Sequence, residues 1–518
     1  MTSPLPGSSR ATRPAIGPAT GPATGAAIGV QMGTAPGRWV VAAAVLGSGV
    51  AFLDSTVVNA ALPAIARDLG ADLGDLQWVV TGYLLTLGSL LVLGGSLGDR
   101  YGRRRVFVIG LAAFATTSAL CGLAPDTGTL IAARCLQGVA AALLVPNSLA
   151  LVSASFVPTH RARAIGAWSG LGGVATAVGP FLGGWLIDSV SWRLVFFVNL
   201  PVVAAAIWIA LRHVPESRDE HARDARLDIG GSIALTCGLA GVVYALIEGP
   251  GGDHPLTVTL LAVIGVLALG AFVVIETRVE QPILPLGLFR SQQFSGANAV
   301  TFAVYAALGA TTFLLVVHLQ TDLGYSALEA GASLLPITVL MLAFSARAGA
   351  LAQRIGPRLP MTIGPLVVAC GMALLGRVEP GSTYWASVFP AMVVLGSGLA
   401  LTVAPLTATV LGAVEDAHAG IASAVNNSVA RLAGLLAVAV LPAAAGLTAS
   451  QGLHLDEGFA RAMDIAAVLA ALGGVLAFLT IRRAVVTRSV ARGDAAIPCY
   501  DVGVRIAMVD TGRAGDPE

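Results

Sequence analysis

The stretch Gly95–Arg105, GSLGDRYGRRR, closes an uncharged apolar run at 77–97 and then places one acid and four arginines in a single short turn. A hydrophobic helix leaves the bilayer where charge begins, so this junction marks a membrane boundary. The same pattern returns in GALAQRIGPRL at 349–359. Gly95, Leu97, Arg100, Gly102 and Arg104 align without gaps on Gly349, Leu351, Arg354, Gly356 and Arg358. Around the two copies lie apolar runs at 39–61, 77–97, 106–124, 128–152, 164–187, 194–211, 229–248, 257–275, 294–317, 327–350, 359–376, 384–412, 418–446 and 460–481. Each approaches the length of about 20 residues that a spanning helix needs.

Each copy follows the second run of a set of six, provided that the pair at 229–276 is an insert. Duplicated six-helix units are a transporter architecture. The expected fold is therefore an all-α polytopic membrane protein of fourteen transmembrane helices, with two six-helix bundles and two extra central helices. The expected order is a disordered cytoplasmic tail at 1–38, a bundle at 39–211, a cytoplasmic loop at 212–228, the inserted pair at 229–276, a cytoplasmic linker at 277–293, a second bundle at 294–481 and a cytoplasmic tail at 482–518.

Composition agrees: 56% of the 518 residues are hydrophobic and 11% are charged, against about 25% charged in a soluble domain. All 30 basic residues are arginine. Without lysine the chain is neither a standard P-loop ATPase nor a Schiff-base enzyme. A net charge of +1 without dense basic clusters gives no footprint for nucleic acid. The five cysteines, Cys121, Cys135, Cys237, Cys370 and Cys499, form no metal or redox spacing. No nucleophile–base or metal-ligand constellation appears in the runs, so neither an enzyme nor a metal protein is expected.

Alternate loops and both tails carry 24 of the arginines; Arg67, Arg193, Arg377 and Arg461 face the other side, and Arg134 and Arg431 fall inside runs. Positive charge collects on the cytoplasmic side. Both termini are expected there, in a bacterial cytoplasmic membrane, given the arginine, alanine and glycine bias of a GC-rich genome.

Asp54 is the one carboxylate deep in a run, and Arg134 shares its depth. Each alone would cost about 2.5–3.5 kcal/mol at the centre of a spanning helix. A static ion pair and a proton-exchanging pair both fit. Asn59, Asn426 and Asn427 need partners inside a membrane, Arg431 is at a depth to meet Asp464, and His318 is expected at the interface. With Asn59, Asn426, Asn427 and Arg431, the candidates for a substrate cavity are Phe52, Trp168, Phe302 and Tyr305, for which lipid-facing positions fit equally. The run GLGGVATAVGPFLGG at 170–184 combines small residues for close helix contact with Pro180, which removes a helical hydrogen bond.

GSLGDRYGRRR resembles the cytoplasmic signature of the major facilitator superfamily, and LIAARCLQGVAAA around Arg134 is similar to its span 4 signature. GPFLGG at 179–184 resembles the antiporter motif of its drug exporters. LDSTVVNAALP from Leu53, WVVTGYLL from Trp78, SWRLVFFVNLP from Ser191 and PILPLGLFR from Pro282 resemble fourteen-span drug:proton antiporters of the EmrB/QacA type. The resemblance implies proton coupling through Asp54 and Arg134, and an antiporter bend at Gly179, Pro180, Gly183 and Gly184. It implies a conformational latch made by Gly95, Asp99, Arg100, Gly102, Arg103 and Arg104 against span 13. The second copy has Gln353 in place of Asp99, so the latch is one-sided. Some relatives carry an acid in span 13 where this chain has Asn426, Asn427 and Arg431, which favours anionic or neutral cargo. The expected activity is export of drugs, antibiotics or other small organic compounds by a monomer that uses the proton gradient and no cofactor. Proton-coupled uptake and a non-transporting membrane sensor remain the alternatives.

Overall fold

The structure, a computed structural model, describes residues 30–218, 227–252, 254–279, 282, 284–415, 419–447 and 455–482. Residues 1–29 of the tail expected at 1–38, nearly all of that at 482–518, half of the loop expected at 212–228, and Cys499 lie outside the described residues, whereas the end of the first tail is ordered, with Val30 bridged to Phe156 and α1 beginning at Ala35.

Among the described residues, fourteen helices are long and apolar enough to cross a membrane. They are α1 (Ala35–Leu69), α2 (Leu73–Tyr101), α3 (Arg103–Gly122), α4 (Thr127–Ser155), α5 (Thr159–Ser189), α6 (Leu194–His213), α7 (Ile229–Gly251), α8 (Pro255–Glu276), α9 (Gln292–Thr321), α10 (Ala327–Ile355), α11 (Arg358–Leu375), α12 (Tyr384–Gly412), α13 (Gly420–Ala444) and α14 (Gly458–Thr480). α1 extends beyond the apolar run that announces it. Thr34 caps its start, and its buried face continues through Pro63, Ile65 and Ala66 to Gly70, whose φ of 66° ends it. A reciprocal cap between Asp72 and Asp75 opens α2. The duplicated motif has one structural meaning in both copies: Gly102 (φ 109°) terminates α2 and Gly356 (φ 87°) terminates α10. Side chains rarely adopt either conformation, so glycine makes each sharp exit.

Helices α1–α6 pack together, as do α9–α14. The α2–α4 crossing is tight enough to need glycine: a Cβ on Gly94 would lie 2.0 Å from the Ala142 carbonyl oxygen, and one on Gly138 would lie 2.1 Å from Thr86 Oγ1. α7 and α8 pair with each other through Gly238, Gly241 and Gly265. α7 also lies across the seam between the two groups, where Leu239, Val243 and Ile247 cluster with Leu85 of α2 and with Leu435 and Ala439 of α13.

Among the described residues, the hydrogen bonds between the groups lie towards one face, the one away from the arginine-rich loops. There Gln320 of α9 donates to Ala60 O of α1 at 3.1 Å, and Gln77 of α2 donates to Val438 O of α13 at 2.5 Å. Towards the arginine-rich face, a Cβ on Gly166, Gly170 or Gly173 of α5 would meet open space.

The crossing makes a direct prediction. Gly94→Ala forces backbone to move and should destabilise purified protein by about 1–3 kcal/mol, seen as a lowered unfolding temperature by scanning fluorimetry. Gly166→Ala should leave that temperature unchanged.

Candidate functional site

Asp54 is fully buried in α1, and three side chains from two other helices supply its carboxylate with donors. Arg134 Nη1 of α4 donates to Oδ2 at 2.5 Å. Gln137, one turn further along α4, and Asn199 of α6 each donate to Oδ1 at 3.0 Å. The donors are themselves held. Arg134 Nε donates to Val79 O of α2 at 3.1 Å, Nη1 also reaches Gln137 Oε1 at 2.7 Å, and the guanidinium lies 4.3 Å from the centre of the Tyr83 ring. Asn199 Nδ2 also donates to Ser118 Oγ of α3 at 3.0 Å, and Ser118 donates onward to Phe196 O. Five helices therefore converge on one ion pair, in which both carboxylate oxygens and most guanidinium donors are satisfied. Such completeness is what lets two charges persist in a low-dielectric interior.

The sequence pointed to Asp54 and Arg134 and missed Gln137, Asn199, Tyr83 and Ser118. A signal for Gln137 existed, because residues three apart share a helix face. Asn199 and Tyr83 lie inside quoted motifs, but nothing in their spacing ties them to Asp54.

Arg431 does not pair with Asp464. It projects from α13 towards α2 and α9, and its electrostatic partners are Tyr83 and Tyr305. His318 lies three residues before the end of α9 and is only 2% exposed there. Its Nδ1 lies 2.7 Å from Asp322 Oδ2, and its ring stacks on Phe459 of α14 at 4.0 Å.

Among the described residues, the contacts of Asp99, Arg103, Arg104 and Arg105 in the motif fall within their own half in this conformation. Among the described residues Asp99 pairs with Arg103 at 2.7 Å rather than with α13. Glu216, beyond α6, accepts from the backbone of Arg104 at 3.0 Å and Arg105 at 3.2 Å, where it also meets the positive start of α3. Arg104 Nη1 donates to Val214 O. Gly95 lies against Pro146 of α4.

The GPFLGG segment occupies two seams at once, and α5 continues through Pro180. Towards α1, a Cβ on Gly179 would lie 2.1 Å from Thr56 Oγ1 and one on Gly183 would lie 3.0 Å from Val57 Cγ1. Towards α10 of the other half, a Cβ on Gly184 would lie 2.5 Å from Ala327 O, and one on Gly331 would lie 2.2 Å from Pro180 O. Four residues beyond Gly184, the Asp188 carboxylate accepts from the backbone N–H groups that start α10, Ala327 at 3.1 Å and Leu328 at 2.8 Å. Arg193 and Trp192 bind Asp68 at the end of α1 on the same face.

The cavity candidates do not form one wall. Phe52 and Trp168 pack on each other at 6.3 Å, with Trp168 Nε1 donating to Ser48 Oγ at 2.9 Å. Asn426 holds α13 to α9, donating to Asn298 Oδ1 at 3.1 Å and Thr301 Oγ1 at 2.7 Å. Asn427 bonds back to Ser423 O of its own helix, Phe302 is 41% exposed and Tyr305 half-buried. Asn59 Oδ1 is buried without a partner.

Comparison with known proteins places this architecture. A family profile described as Major Facilitator Superfamily matches residues 44–438. The puromycin resistance protein pur8 of Streptomyces alboniger is 39% identical over 78% of this chain and 81% of its own length. The tetracenomycin C resistance and export protein of Streptomyces glaucescens is 35% identical, covering 77% and 74%. The methylenomycin A resistance protein of Bacillus subtilis is also 35% identical, covering 85% and 94%. Among solved structures, a POT family transporter matches the fold with a TM-score of 0.62 at 14% identity, over 84% of this chain and 94% of that one. The human organic anion transporter MFSD10 matches with a TM-score of 0.56 at 18% identity, over 86% and 100%. The chain belongs to the major facilitator superfamily, as a multi-pass transporter akin to its antibiotic resistance and export proteins rather than an enzyme.

Proposed function

We propose that this transporter expels antibiotics or related small organic compounds in exchange for protons, with Asp54 as the proton-exchanging group. The carrying observation is the buried Asp54–Arg134 pair, locked by Gln137 and Asn199 at the convergence of five helices. The resistance and export relatives supply the direction of transport. The arginine-rich face is the cytoplasmic one, both termini lie there, and a monomer in a bacterial cytoplasmic membrane is the working unit.

In this orientation the halves are closed outside and parted inside, the arrangement that loads cargo from the cytoplasm. Closure rests on the Asp188 cap of α10, the Gly184 and Gly331 contacts and the Gln77 and Gln320 bonds. When the outer face opens, a proton reaching Asp54 neutralises the carboxylate and frees Arg134 from its counter-ion. Asn199 and Gln137 then re-form their bonds around a neutral acid. Cargo leaves outward, and loss of the proton inside restores the ion pair. Asp99, paired within its own half here, is free to meet the start of α13 when the inner face closes.

Three outcomes check this reading. In everted vesicles Asp54→Asn should abolish substrate-induced proton release while the protein still binds cargo; full release would sink the assignment. Arg134→Gln leaves a buried carboxylate unpaired and should destabilise the protein by about 3–5 kcal/mol, and adding Asp54→Asn should recover most of that loss without recovering exchange. Asp188→Ala removes two hydrogen bonds that hold the outer face shut. Cysteine labelling of a Cys placed at Leu328 should become faster in that variant, with growth protection against a compound panel reporting the effect on export.

A further inference from the structure

Arg431 lies midway along α13, where that helix crosses α2 and α9. A Cβ on Gly88 of α2 would come within 3.8 Å of Arg431 Cβ, and one on Gly309 of α9 would come within 2.7 Å of Gly434 Cα, three residues further along α13. The guanidinium thus stands at the meeting point of the two halves at mid-depth. It is only half-buried, unlike the sealed Arg134. Its electrostatic partners are the phenols of Tyr83 and Tyr305, with no acid among them. The only deep membrane carboxylate among the described residues, Asp54, is already engaged by Arg134, Gln137 and Asn199.

A second polar group on the same face is also unsatisfied. Ser428 precedes Arg431 by three residues, which puts the two on one side of the helix, and its buried Oγ has no hydrogen-bond partner. Other deep polar side chains are met by the protein, Arg134 by four acceptor or ring contacts and Asn426 by two. A charged side chain held at membrane depth without a protein counter-ion marks a ligand pathway. The missing partner must bring negative charge and an acceptor for the hydroxyl.

We propose that Arg431 and Ser428, with Tyr305 beside them, anchor the negatively charged group of the cargo, so that the exported compound is an organic anion with a ring-bearing apolar body. This deepens the export reading and rests on it. The guanidinium offers paired donors to a carboxylate or sulfonate, Ser428 adds a hydroxyl donor, and the half-buried Tyr305 gives the apolar body a ring surface.

Two xanthene dyes of similar shape and opposite charge test it: fluorescein, an anion, and rhodamine 6G, a cation. Fluorescence anisotropy with the purified full chain at pH 7.5 gives both affinities. A charge-assisted hydrogen bond is worth about ten- to a hundredfold in affinity, so the wild-type protein should bind fluorescein at least about tenfold more tightly than rhodamine 6G. Arg431→Gln should bring the two affinities within about twofold, and Arg431→Lys should keep a preference for the anion. Failure of fluorescein to bind the wild type, a wild-type preference for rhodamine 6G, or an undiminished anion preference in Arg431→Gln overturns the proposal. Should Arg431→Gln not fold, the wild-type ratio and Arg431→Lys decide. The assay involves no proton movement, so a failure of proton exchange leaves its result standing, and the reverse holds too.

Discussion

The ion pair between Asp54 and Arg134 sets the terms for the first half of the molecule. Neither charge is tolerable alone at that depth, and the pair is tolerable only because α1, α2, α3, α4 and α6 all bring polar atoms to it. That demand reaches into packing. For Tyr83 and Val79 to serve Arg134, α2 must lie close against α4, and Gly82, Gly94 and Gly138 remove the side chains that would hold them apart. A rigid first half follows from a polar requirement at its centre.

Among the described residues the second half carries no equivalent pair at mid-depth, and this asymmetry decides how the halves divide their work. Arg431 is its mid-depth charge, and it lacks a protein counter-ion among the described residues. Polar bonding there is spent instead on joining helices, as Asn426 does for α13 and α9, and on the His318–Asp322 pair near the closed face. The inserted helix α7 touches both halves along the α2–α13 seam without contributing a charge to the centre. Motion between the halves therefore changes the surroundings of Arg431, which sits on the seam, while the Asp54 cluster can move as a unit.

Much of this was legible in the sequence, for identifiable reasons. Hydrophobic runs and arginine placement are one-dimensional signals, and they located fourteen spans and the repeat. Gly102 and Gly356 show the repeat in backbone form, as two left-handed exits at equivalent helix ends. Asp54 and Arg134 were legible because isolated charge in an apolar run is conspicuous. Asn199, Ser118 and Tyr83 were not, since amides, hydroxyls and phenols are common in such runs and only three-dimensional convergence gives them a role. Arg431 was mispaired with Asp464 because depth alone cannot say which way a helix face points. His318 lies near the end of α9, as its run implies, but its cover by Phe459 was not legible, because that ring comes from another helix.

The absence of lysine, which removes the usual phosphate-loop route to ATP, takes on a quantitative meaning beside these two arginines. On the proposed antiport reading energy enters as an ion gradient, and its yield depends on how much charge one cycle moves. Exchange of one proton for a neutral compound moves one charge, worth about 2.3 kcal/mol at 100 mV, or roughly a fiftyfold gradient. Exchange of one proton for a monovalent anion held at Arg431 moves two, worth about 4.6 kcal/mol and roughly a two-thousandfold gradient from potential alone. An acid at the position of Arg431 would favour cationic cargo, whose outward passage cancels the charge of the entering proton and leaves only the pH difference to drive export. The sign of one side chain on α13 thus sets which component of the proton gradient the transporter can use.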